Sequence, residues 1–440
     1  MTAAVTDALV GSGPTTRRWS RPRGAEVIAV LVLIAAGAAS FFRQEGHHSW
    51  QVMWGEDGSV YLQQVQLDGA STLFRGYAGY LQLVPRIGAL LVAEVPLRRA
   101  AVAMAVAGVV ITTAVGILVF RATADMIRSV PLRLLAPLLL VIGPAMGSEN
   151  TATLTNVIWP LFGAVPFLVL ARARGRVDTV VRCGVVALAV LSQALSLLFA
   201  PLALVVALKR RDRASIAMAV TYAVAGLLQL AVVVTSPGRP KGTFVVGDAV
   251  KLFGLDVVGQ LLVGNWHAEM WVRFGVTFAL GAMVVFAALL LVAAWRSDLA
   301  SRRLAAVLVV CGIVAGAAPI ISNGTAYYHL FEGAVPTAPY RYIVVPVPLF
   351  VAAFAVLLDP LERRLDLVGV IGRWLLVAQT VLFIVIWFPS DSGRGDGPVW
   401  PGAVRQARDE CGQLPDDATV TIEGSPPQFV VVLPCAVVER

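Results

Sequence analysis

Long apolar segments separated by short basic ones constrain this chain more than any other feature of its sequence. A helix needs about 20 mostly apolar residues to cross a bilayer, and about 17 at the short end. Eleven segments are candidates, and we predict an all-α polytopic membrane protein with about eleven transmembrane helices. The candidate segments are 25–42, 100–120, 134–147, 157–171, 179–194, 196–208, 214–234, 272–295, 303–321, 342–358 and 367–388.

The composition supports this fold class. Hydrophobic residues make up 58% of the 440 residues and charged residues 14%, whereas a soluble globular chain carries about 25% charged residues. A water-soluble enzyme, a disordered chain and a coiled coil are therefore excluded. The net charge of +8 is explained by anchoring of membrane spans to the cytoplasmic side rather than by nucleic acid, so we expect membrane lipids and no nucleic acid as partners.

Basic residues predict the orientation of the spans. Four arginines precede the first span, so the tail 1–24 is expected in the cytoplasm. If the sides then alternate, every inner loop is short and basic, provided that 179–208 holds two short helices broken near Gln193 and Pro201. The expected inner residues include Arg17, Arg18, Arg21, Arg23, Arg121, Arg128, Arg133, Arg172, Arg174, Arg176, Lys209, Arg210, Arg211, Arg213, Arg296, Arg302, Arg303, Arg363 and Arg364.

The outer side differs in character from the inner one. It receives a long loop, 43–99, three shorter loops near 148–156, 235–271 and 322–341, and the tail 389–440. All four histidines and every tyrosine except Tyr222 fall in these segments or at their edges. An interfacial aromatic belt is one explanation, but a belt is expected on both faces. We therefore expect the functional surface outside.

An acidic pair follows the first span. Glu56 and Asp57 lie between glycines, next to Trp54. One interpretation is a solvated turn, since Asp-Gly is a common turn dipeptide. The other is function, because two neighbouring carboxylates can supply a general base and a group that orients the acceptor or holds a cation.

Tyr77, Tyr80 and Arg86 stand further along the same loop. Tyrosine rings suit the faces of sugars, and an arginine can grip phosphate with two parallel hydrogen bonds. The alternative is that this segment docks at the headgroup level, with Arg86 on lipid phosphate.

Two other outer loops carry isolated candidates. Glu149 is the one charged residue of 148–156, and Arg341 and Tyr342 stand at the lip of a span, after His329. A cation at that depth is costly unless it is paired, snorkels to the headgroups or holds an anionic ligand. No zinc spacing, P-loop, dinucleotide glycine motif or nucleophile elbow is present, and charges in mid-span are nearly absent.

These features together resemble the GT-C superfamily of membrane glycosyltransferases, which take sugars from polyprenyl-phosphate donors. By that resemblance, Glu56 and Asp57 match the catalytic acidic motif, Glu149 matches the second acidic position, and Arg341 and Tyr342 match the donor-phosphate contact. Arg86 is a second candidate for phosphate, and Trp54, Tyr77, Tyr80 and His329 are candidates for lining the substrate site. The acidic residues here are adjacent rather than spaced, which leaves the identity of the base open.

The resemblance implies a transferase at the outer face of a bacterial plasma membrane. It would move a sugar from a polyprenyl-phosphate donor to an envelope glycan or glycolipid. A divalent metal such as Mg²⁺ or Mn²⁺ is a possible cofactor, because the leaving phosphate must have its charge stabilised. The short helices of 179–208 could open a groove for the isoprenoid tail. The alternatives are a lipid-linked-sugar transporter or flippase and a non-catalytic accessory membrane protein.

The chain divides into the tail 1–24, a GT-C-like membrane domain, 25–388, and a small outer module, 389–440. Cys183 and Cys311 lie in apolar runs and read as small core residues. Cys411 and Cys435 flank the strand-like runs 418–422 and 429–433 in the tail. Outside the cell thiols meet an oxidising compartment, so we predict a disulfide between Cys411 and Cys435.

Overall fold

The computed structural model describes residues 24–46, 48–147, 149–236, 242–325, 340–390, 393–415 and 417–439. Within these residues the chain is almost entirely helical, with two small two-stranded sheets. It is an all-α, multi-pass membrane protein. The basic residues predicted before the first span, and His329, lie outside the described residues.

Eighteen α-helices succeed one another along the described chain. They are α1 (Gly24–Phe41), α2 (Gln63–Asp68), α3 (Leu83–Ala93), α4 (Ala100–Ala122), α5 (Val130–Ile142), α6 (Ile158–Leu170), α7 (Arg176–Val190), α8 (Ala200–Arg210), α9 (Arg213–Thr235), α10 (Val246–Leu252), α11 (Gln260–Val263), α12 (His267–Phe274), α13 (Val276–Arg296), α14 (Leu299–Asn323), α15 (Pro346–Arg363), α16 (Leu367–Ile386), α17 (Trp400–Cys411) and α18 (Cys435–Val438). Two π-helices interrupt the series, Asp57–Leu62 and Phe253–Gly259.

Six helical segments are long and apolar enough to cross a membrane. They are α1, the segment Leu97–Asp125 around α4, α9, α13, α14 and α16. A helix also occupies each of the other five predicted stretches, but these helices are either shorter than the six or, for α15, carry three charged residues within 18. The expected count of about eleven spans is therefore confirmed for these six segments only.

Two of the remaining helices form the core of the bundle. Every residue of α6 is buried, and nearly every residue of α15 up to Leu361 is buried as well. A helix that is apolar on all sides packs best when it is surrounded by other helices. Here α15 packs against α14, α16 and α5, while α6 packs against α4 and α7.

The segment 179–208 breaks into two helices, as the sequence predicts. The first, α7, ends at Val190, and a 3₁₀ turn, Ala194–Phe199, leads into α8. Gln193 is the N-cap of that turn, and its side-chain oxygen accepts a hydrogen bond from the Leu195 amide, 3.3 Å away. Pro201 stands in the first turn of α8, where its missing N–H costs nothing.

Turns predicted to share one side of the membrane lie at the same end of the bundle. Ion pairs or hydrogen bonds connect the turn after α4 with the turn after α6, the start of α5 with the end of α15, and the end of α13 with the start of α16. The contacts are Arg174 Nη2 to Asp125 Oδ1 at 3.4 Å, the Ser129 amide to Asp359 Oδ1 at 2.7 Å, and Arg296 Nη1 to Asp366 Oδ2 at 3.5 Å. We call this the basic end.

The segment 235–271 departs from the prediction of an outer loop. Its described part, from residue 242, folds into α10, a π-helix, α11 and the start of α12, and these pack against α13 and α14. The apolar run Phe253–Gly259 contains one charge, Asp256, and this residue is buried. His267, expected on the outer surface, is buried beside Asp256. The apolar run Phe253–Gly259 therefore packs inside the bundle instead of forming an outer loop.

The C-terminal module matches its sequence pattern closely. Strands β3 (Thr419–Ile422) and β4 (Val431–Pro434) pair antiparallel, following the first small sheet of β1 (Gly76–Tyr77) and β2 (Tyr80–Leu81). Cys411 and Cys435 form the predicted disulfide, and both are buried. Trp400 anchors the module, because its indole nitrogen donates to the Leu97 carbonyl at 2.7 Å.

Candidate functional site

The two adjacent carboxylates of the first outer loop point to different surroundings. Asp57 is 1% exposed, and its carboxylate accepts hydrogen bonds from the Leu154 amide at 2.9 Å and the Thr155 amide at 2.6 Å. The Thr155 hydroxyl donates to it as well. Neighbouring residues on a helix do not face the same way, so Glu56 at the start of this π-helix turns elsewhere.

Desolvation by burial raises the pKa of the Asp57 carboxyl, and the hydrogen bonds from Thr155 and Leu154 act against that rise. Arg394 also lowers the pKa through its charge. The hydrogen bonds from Leu154 and Thr155 and the charge of Arg394 thus all favour the carboxylate form of Asp57. The side chain holds the loop 149–156 and has little room for a substrate.

Glycine is required beside this carboxylate. A Cβ at Gly58 would stand 2.9 Å from Val431 Cγ2 and closer still to the Met53 side chain. The π-helix thus lies directly against strand β4, and the Val432 amide donates to Gln63 Oε1 at 2.9 Å. The C-terminal module packs over the first outer loop and fixes its course.

Arg394 holds the same loop from the other side, and sequence reasoning did not single it out. It is 2% exposed, and its Nη1 donates to the Ala152 carbonyl at 2.9 Å while its Nη2 donates to the Val52 carbonyl at 3.2 Å. Burial lowers the pKa of Arg394 to about 10, and the charge of Asp57 opposes that shift, so the guanidinium stays charged at neutral pH. Asp57 and Arg394 together fix the loop 149–156.

Glu56 is half-buried and faces the tyrosines of the loop. The Tyr77 hydroxyl donates to Glu56 Oε1 at 3.3 Å, and the Tyr77 ring meets the Tyr61 ring edge-on, with centroids 6.3 Å apart. Tyr77 and Tyr80 stand opposite one another across the first small sheet. The two residues between them, Ala78 and Gly79, have φ of 56° and 88°, as a tight two-residue hairpin turn requires.

Arg86 lies against the same group of rings. It is fully buried on α3, with Nη1 donating to Gln64 Oε1 at 2.9 Å and the guanidinium carbon 5.8 Å from the centroid of the Tyr61 ring. Among the described residues, its Nε and Nη2 meet no hydrogen-bond acceptor. The Tyr61 hydroxyl donates to Gln82 Oε1, and the desolvation of Tyr61 raises the pKa of its phenol well above the usual value.

Glu56, Tyr77, Tyr80 and Arg86 therefore surround Tyr61, and the fields of all four act on its phenol. We call these four residues and Tyr61 the tyrosine cluster. In this cluster the Glu56 carboxylate and the Arg86 guanidinium both lie near Tyr61. Trp54 is half-buried, and its backbone bridges to Ser425 of the C-terminal module rather than to the tyrosines.

Glu149 and Arg341 form a second unit. Arg341 Nη1 lies 2.8 Å from Glu149 Oε2, with the two side chains 24% and 33% exposed. The Arg341 guanidinium also lies over the Tyr342 ring, 5.3 Å from its centroid, and that ring meets Trp159 edge-on at 5.2 Å. The pair is solvent-accessible, so an anion could replace Glu149 as the partner of Arg341.

The loop 149–156 connects this ion pair with Asp57. The Glu149 carbonyl accepts a hydrogen bond from the Asn156 side chain at 2.8 Å, and Asp57 binds the two residues before Asn156. Asp57 and Glu149 therefore belong to one clamped loop, while Glu56 belongs to the tyrosine cluster. The described residues contain no group of three or more His, Cys, Asp or Glu side chains that could hold a metal ion.

An apolar cavity lies between helices of the bundle, away from 179–208. Leu139 of α5, Val347 and Val351 of α15 and Phe383 of α16 contribute to its wall. Two amides, Gln260 and Gln379, also line it, and the Gln260 side-chain oxygen has no hydrogen-bond partner among the described residues. Such a mostly apolar space with few polar groups suits an alkyl or isoprenoid chain.

Compared with protein-family models and with curated proteins, the chain matches none of them.

Proposed function

We propose that the protein is a glycosyltransferase that takes a sugar from a polyprenyl-phosphate donor and passes it to a glycan or glycolipid at the outer face of a bacterial plasma membrane. The observation that carries this proposal is the tyrosine cluster, where Glu56 and the buried cation of Arg86 flank one tyrosine. Transfer from a sugar phosphate needs both a base and a positive charge.

Glu56 is the base in this proposal. The acceptor hydroxyl gives its proton to the Glu56 carboxylate as its oxygen bonds to the anomeric carbon of the donor sugar. The bond between that carbon and the phosphate oxygen breaks, and its electron pair leaves with the polyprenyl phosphate. Glu56 is preferred over Asp57 because Asp57 is buried and already accepts three hydrogen bonds.

Arg341 is the donor-phosphate contact in this proposal, and Glu149 positions it. The two side chains are exposed enough to meet a lipid phosphate, and the aromatic contact with Tyr342 fixes the guanidinium plane. Arg86 adds positive charge near the reacting groups. If a divalent metal takes part, Glu56 and Glu149 are the carboxylates exposed enough to meet it, and the metal would neutralise phosphate charge. The apolar cavity would hold part of the isoprenoid chain.

Donor binding tests the role of Arg341. The full chain in lipid nanodiscs is titrated with undecaprenyl phosphate, which carries the phosphate and the isoprenoid without the sugar. We expect Arg341→Ala to weaken binding about 10- to 100-fold, since hydrogen bonds to charged groups contribute about 1.5–3 kcal/mol. Arg341→Lys should recover part of it, because lysine lacks the planar fork.

The matched control is Arg364→Ala, which removes an exposed arginine from the basic end. It should bind undecaprenyl phosphate like the wild type. Equal affinity of Arg341→Ala and the wild type would contradict the assignment and leave Arg341 as an ion pair that stabilises the loop.

One observation favours a lipid-linked-sugar transporter as a second candidate. Asp256 and His267 are both buried, and His267 Nε2 lies 3.6 Å from Asp256 Oδ1. Ionisable groups buried in a membrane bundle often mark a transport path. Translocation without bond cleavage is measured in sealed vesicles, and a labelled donor that changes sides with its sugar still attached would favour the transporter over the transferase.

A further inference from the structure

A small recess opens at the basic end between α6, α7 and α9. Its wall includes Ala171, Thr179, Arg182, Ser215 and Met218, and its empty volume is about 250 Å³. We call this recess the basic notch. It lies at the opposite end of α6 from the loop 149–156, and the proposed function gives it no role.

A buried arginine forms one wall of the notch. Arg182 is 3% exposed, and its Nη1 donates to the Ala171 carbonyl at 2.8 Å while its Nη2 pairs with Asp178 at 2.9 Å. Among the described residues, its Nε meets no acceptor. A buried N–H of a charged group without an acceptor is costly, and because Arg182 lines the notch, an anion there would lie beside its positive charge.

A second arginine converges on the same backbone. Arg210 Nη1 donates to the Ala171 carbonyl at 3.1 Å and its Nη2 to the Leu170 carbonyl. Its Nε also lacks an acceptor within the described part of the chain. Two guanidinium groups thus share one carbonyl at the C-terminus of α6, although like charges at short range repel each other.

Two helices begin at the notch with the wrong charge for their ends. α7 starts at Arg176 and α9 at Arg213, and both side chains are exposed. The N-terminus of a helix carries a partial positive charge, which anions stabilise and cations destabilise. Asp212 caps α9 by accepting the Ser215 amide at 2.9 Å, and Asp178 lies in the first turn of α7 and accepts the Arg174 amide at 2.8 Å, so each of the two ends also carries one carboxylate.

The turns around the notch also hold an excess of cations. Eight basic side chains face three carboxylates in these turns. They are Arg172, Arg174, Arg176, Arg182, Lys209, Arg210, Arg211 and Arg213 against Asp125, Asp178 and Asp212. The turn between α15 and α16 at the same end of the bundle is slightly acidic, since it has Arg363 and Arg364 against three carboxylates between residues 359 and 366. The turn 296–303 also holds an excess of cations, with Arg296, Arg302 and Arg303 against Asp298, so the notch is part of a wider basic surface.

Exposed apolar side chains continue from the notch along both helices. On α7, Val177 and Val180 are 77% and 70% exposed, and on α9, Ile216 and Val220 are 48% and 57% exposed. A soluble anion would gain nothing from these residues, whereas acyl chains would cover them. Basic pockets between membrane helices are typical sites for anionic lipid headgroups.

We propose that the basic notch binds the phosphate of an anionic phospholipid, with Arg182 and the first turns of α7 and α9 around the phosphate and the acyl chains along α7 and α9. Phosphate is the shared chemistry of a lipid headgroup and a soluble phosphate ester, and the exposed valines and isoleucine favour the lipid.

Native mass spectrometry of the full chain in a neutral detergent tests this site. The protein is titrated with dioleoyl phosphatidylglycerol, with dioleoyl phosphatidylcholine and with glycerol 3-phosphate. The test variant combines Arg176→Gln and Arg213→Gln, both at exposed positions that leave the buried arginines in place. The control variant combines Arg303→Gln and Arg364→Gln, which removes the same charge elsewhere at the basic end.

We expect wild type and control to retain phosphatidylglycerol and the test variant to bind it about thirtyfold more weakly, since each cation near an anionic surface contributes about a fivefold factor. Phosphatidylcholine should bind weakly to all three proteins. Glycerol 3-phosphate that matches the lipid in affinity, with the same loss in the test variant, would assign the notch to a soluble phosphate and overturn the lipid. Equal phosphatidylglycerol binding by all three proteins would overturn the site itself.

Discussion

Asp57→Asn should destabilise the protein, because Asp57 holds the loop 149–156 in place. The carboxylate accepts hydrogen bonds from two backbone amides and one hydroxyl, and it lies near the buried charge of Arg394. An asparagine keeps one oxygen and replaces the other with a donor, which would face an N–H of the loop. It also removes the negative charge that accompanies Arg394 in the interior.

The magnitude follows from these contacts. A buried donor left without an acceptor costs about 1–3 kcal/mol, and the loss of the negative charge near the buried Arg394 adds to that cost. We therefore expect Asp57→Asn to lower the free energy of unfolding by about 3 kcal/mol or more. The cost holds even though burial raises the pKa of Asp57, because the mutation leaves the donors and Arg394 in the interior.

Thermal unfolding in detergent, followed by intrinsic fluorescence, measures this effect. Glu56→Gln is the matched control, since it changes the adjacent carboxylate in the same chemical way at a half-buried position with one long hydrogen bond. The control should unfold close to the wild-type temperature, and Asp57→Asn should unfold well below it. Equal unfolding temperatures for both variants would refute the role of Asp57 as the residue that holds the loop.

Two further predictions concern stability. Cys411→Ser with Cys435→Ser should loosen the C-terminal module by about 3 kcal/mol, as the chain-entropy model gives for a loop of this length, since the two cysteines are separated by 24 positions in the sequence. Mass spectrometry without reductant should find both cysteines of the native protein oxidised, and alkylation of both would contradict the bridge. Arg43→Gln should lower the unfolding temperature strongly, because Arg43 is buried and its guanidinium donates to four backbone carbonyls. These belong to Ile142, Gly143, Trp387 and Phe388. An unchanged unfolding temperature would show that these hydrogen bonds contribute little to stability.

Hydrophobic pattern predicted the parts of the fold that depend on burial along a helix. Each predicted apolar stretch contains a helix, and the break near Gln193 and Pro201 occurs where local chemistry places it. The fold of the C-terminal module could also be predicted from the sequence, because its strand-like runs and its two cysteines are local signals. The number of crossing helices stays a prediction beyond the six long apolar segments, because α6 and α15 are buried among other helices and fall outside the criteria that identify those six.

The candidate site was harder to predict, because a sequence does not show the direction in which each side chain points in the fold. Glu56 and Asp57 are adjacent, yet one faces Tyr77 and the other faces Leu154 and Thr155. Arg43 and Arg394 read as ordinary charges beside a membrane, although each is buried and binds several carbonyls. Asp256 and His267 meet through a fold of 246–274 that the sequence pattern did not distinguish from a loop.

Turnover of bound donor by Glu56→Gln tests the proposed transferase most directly. The full chain in nanodiscs is saturated with a radiolabelled polyprenyl-phosphate sugar, and release of polyprenyl phosphate is followed in a single turnover with acceptor present. The proposal predicts wild-type transfer, unchanged donor binding in Glu56→Gln, and a rate about 10² to 10⁴ times lower, the usual loss when a general base is removed. A Glu56→Gln rate close to that of the wild type would contradict it.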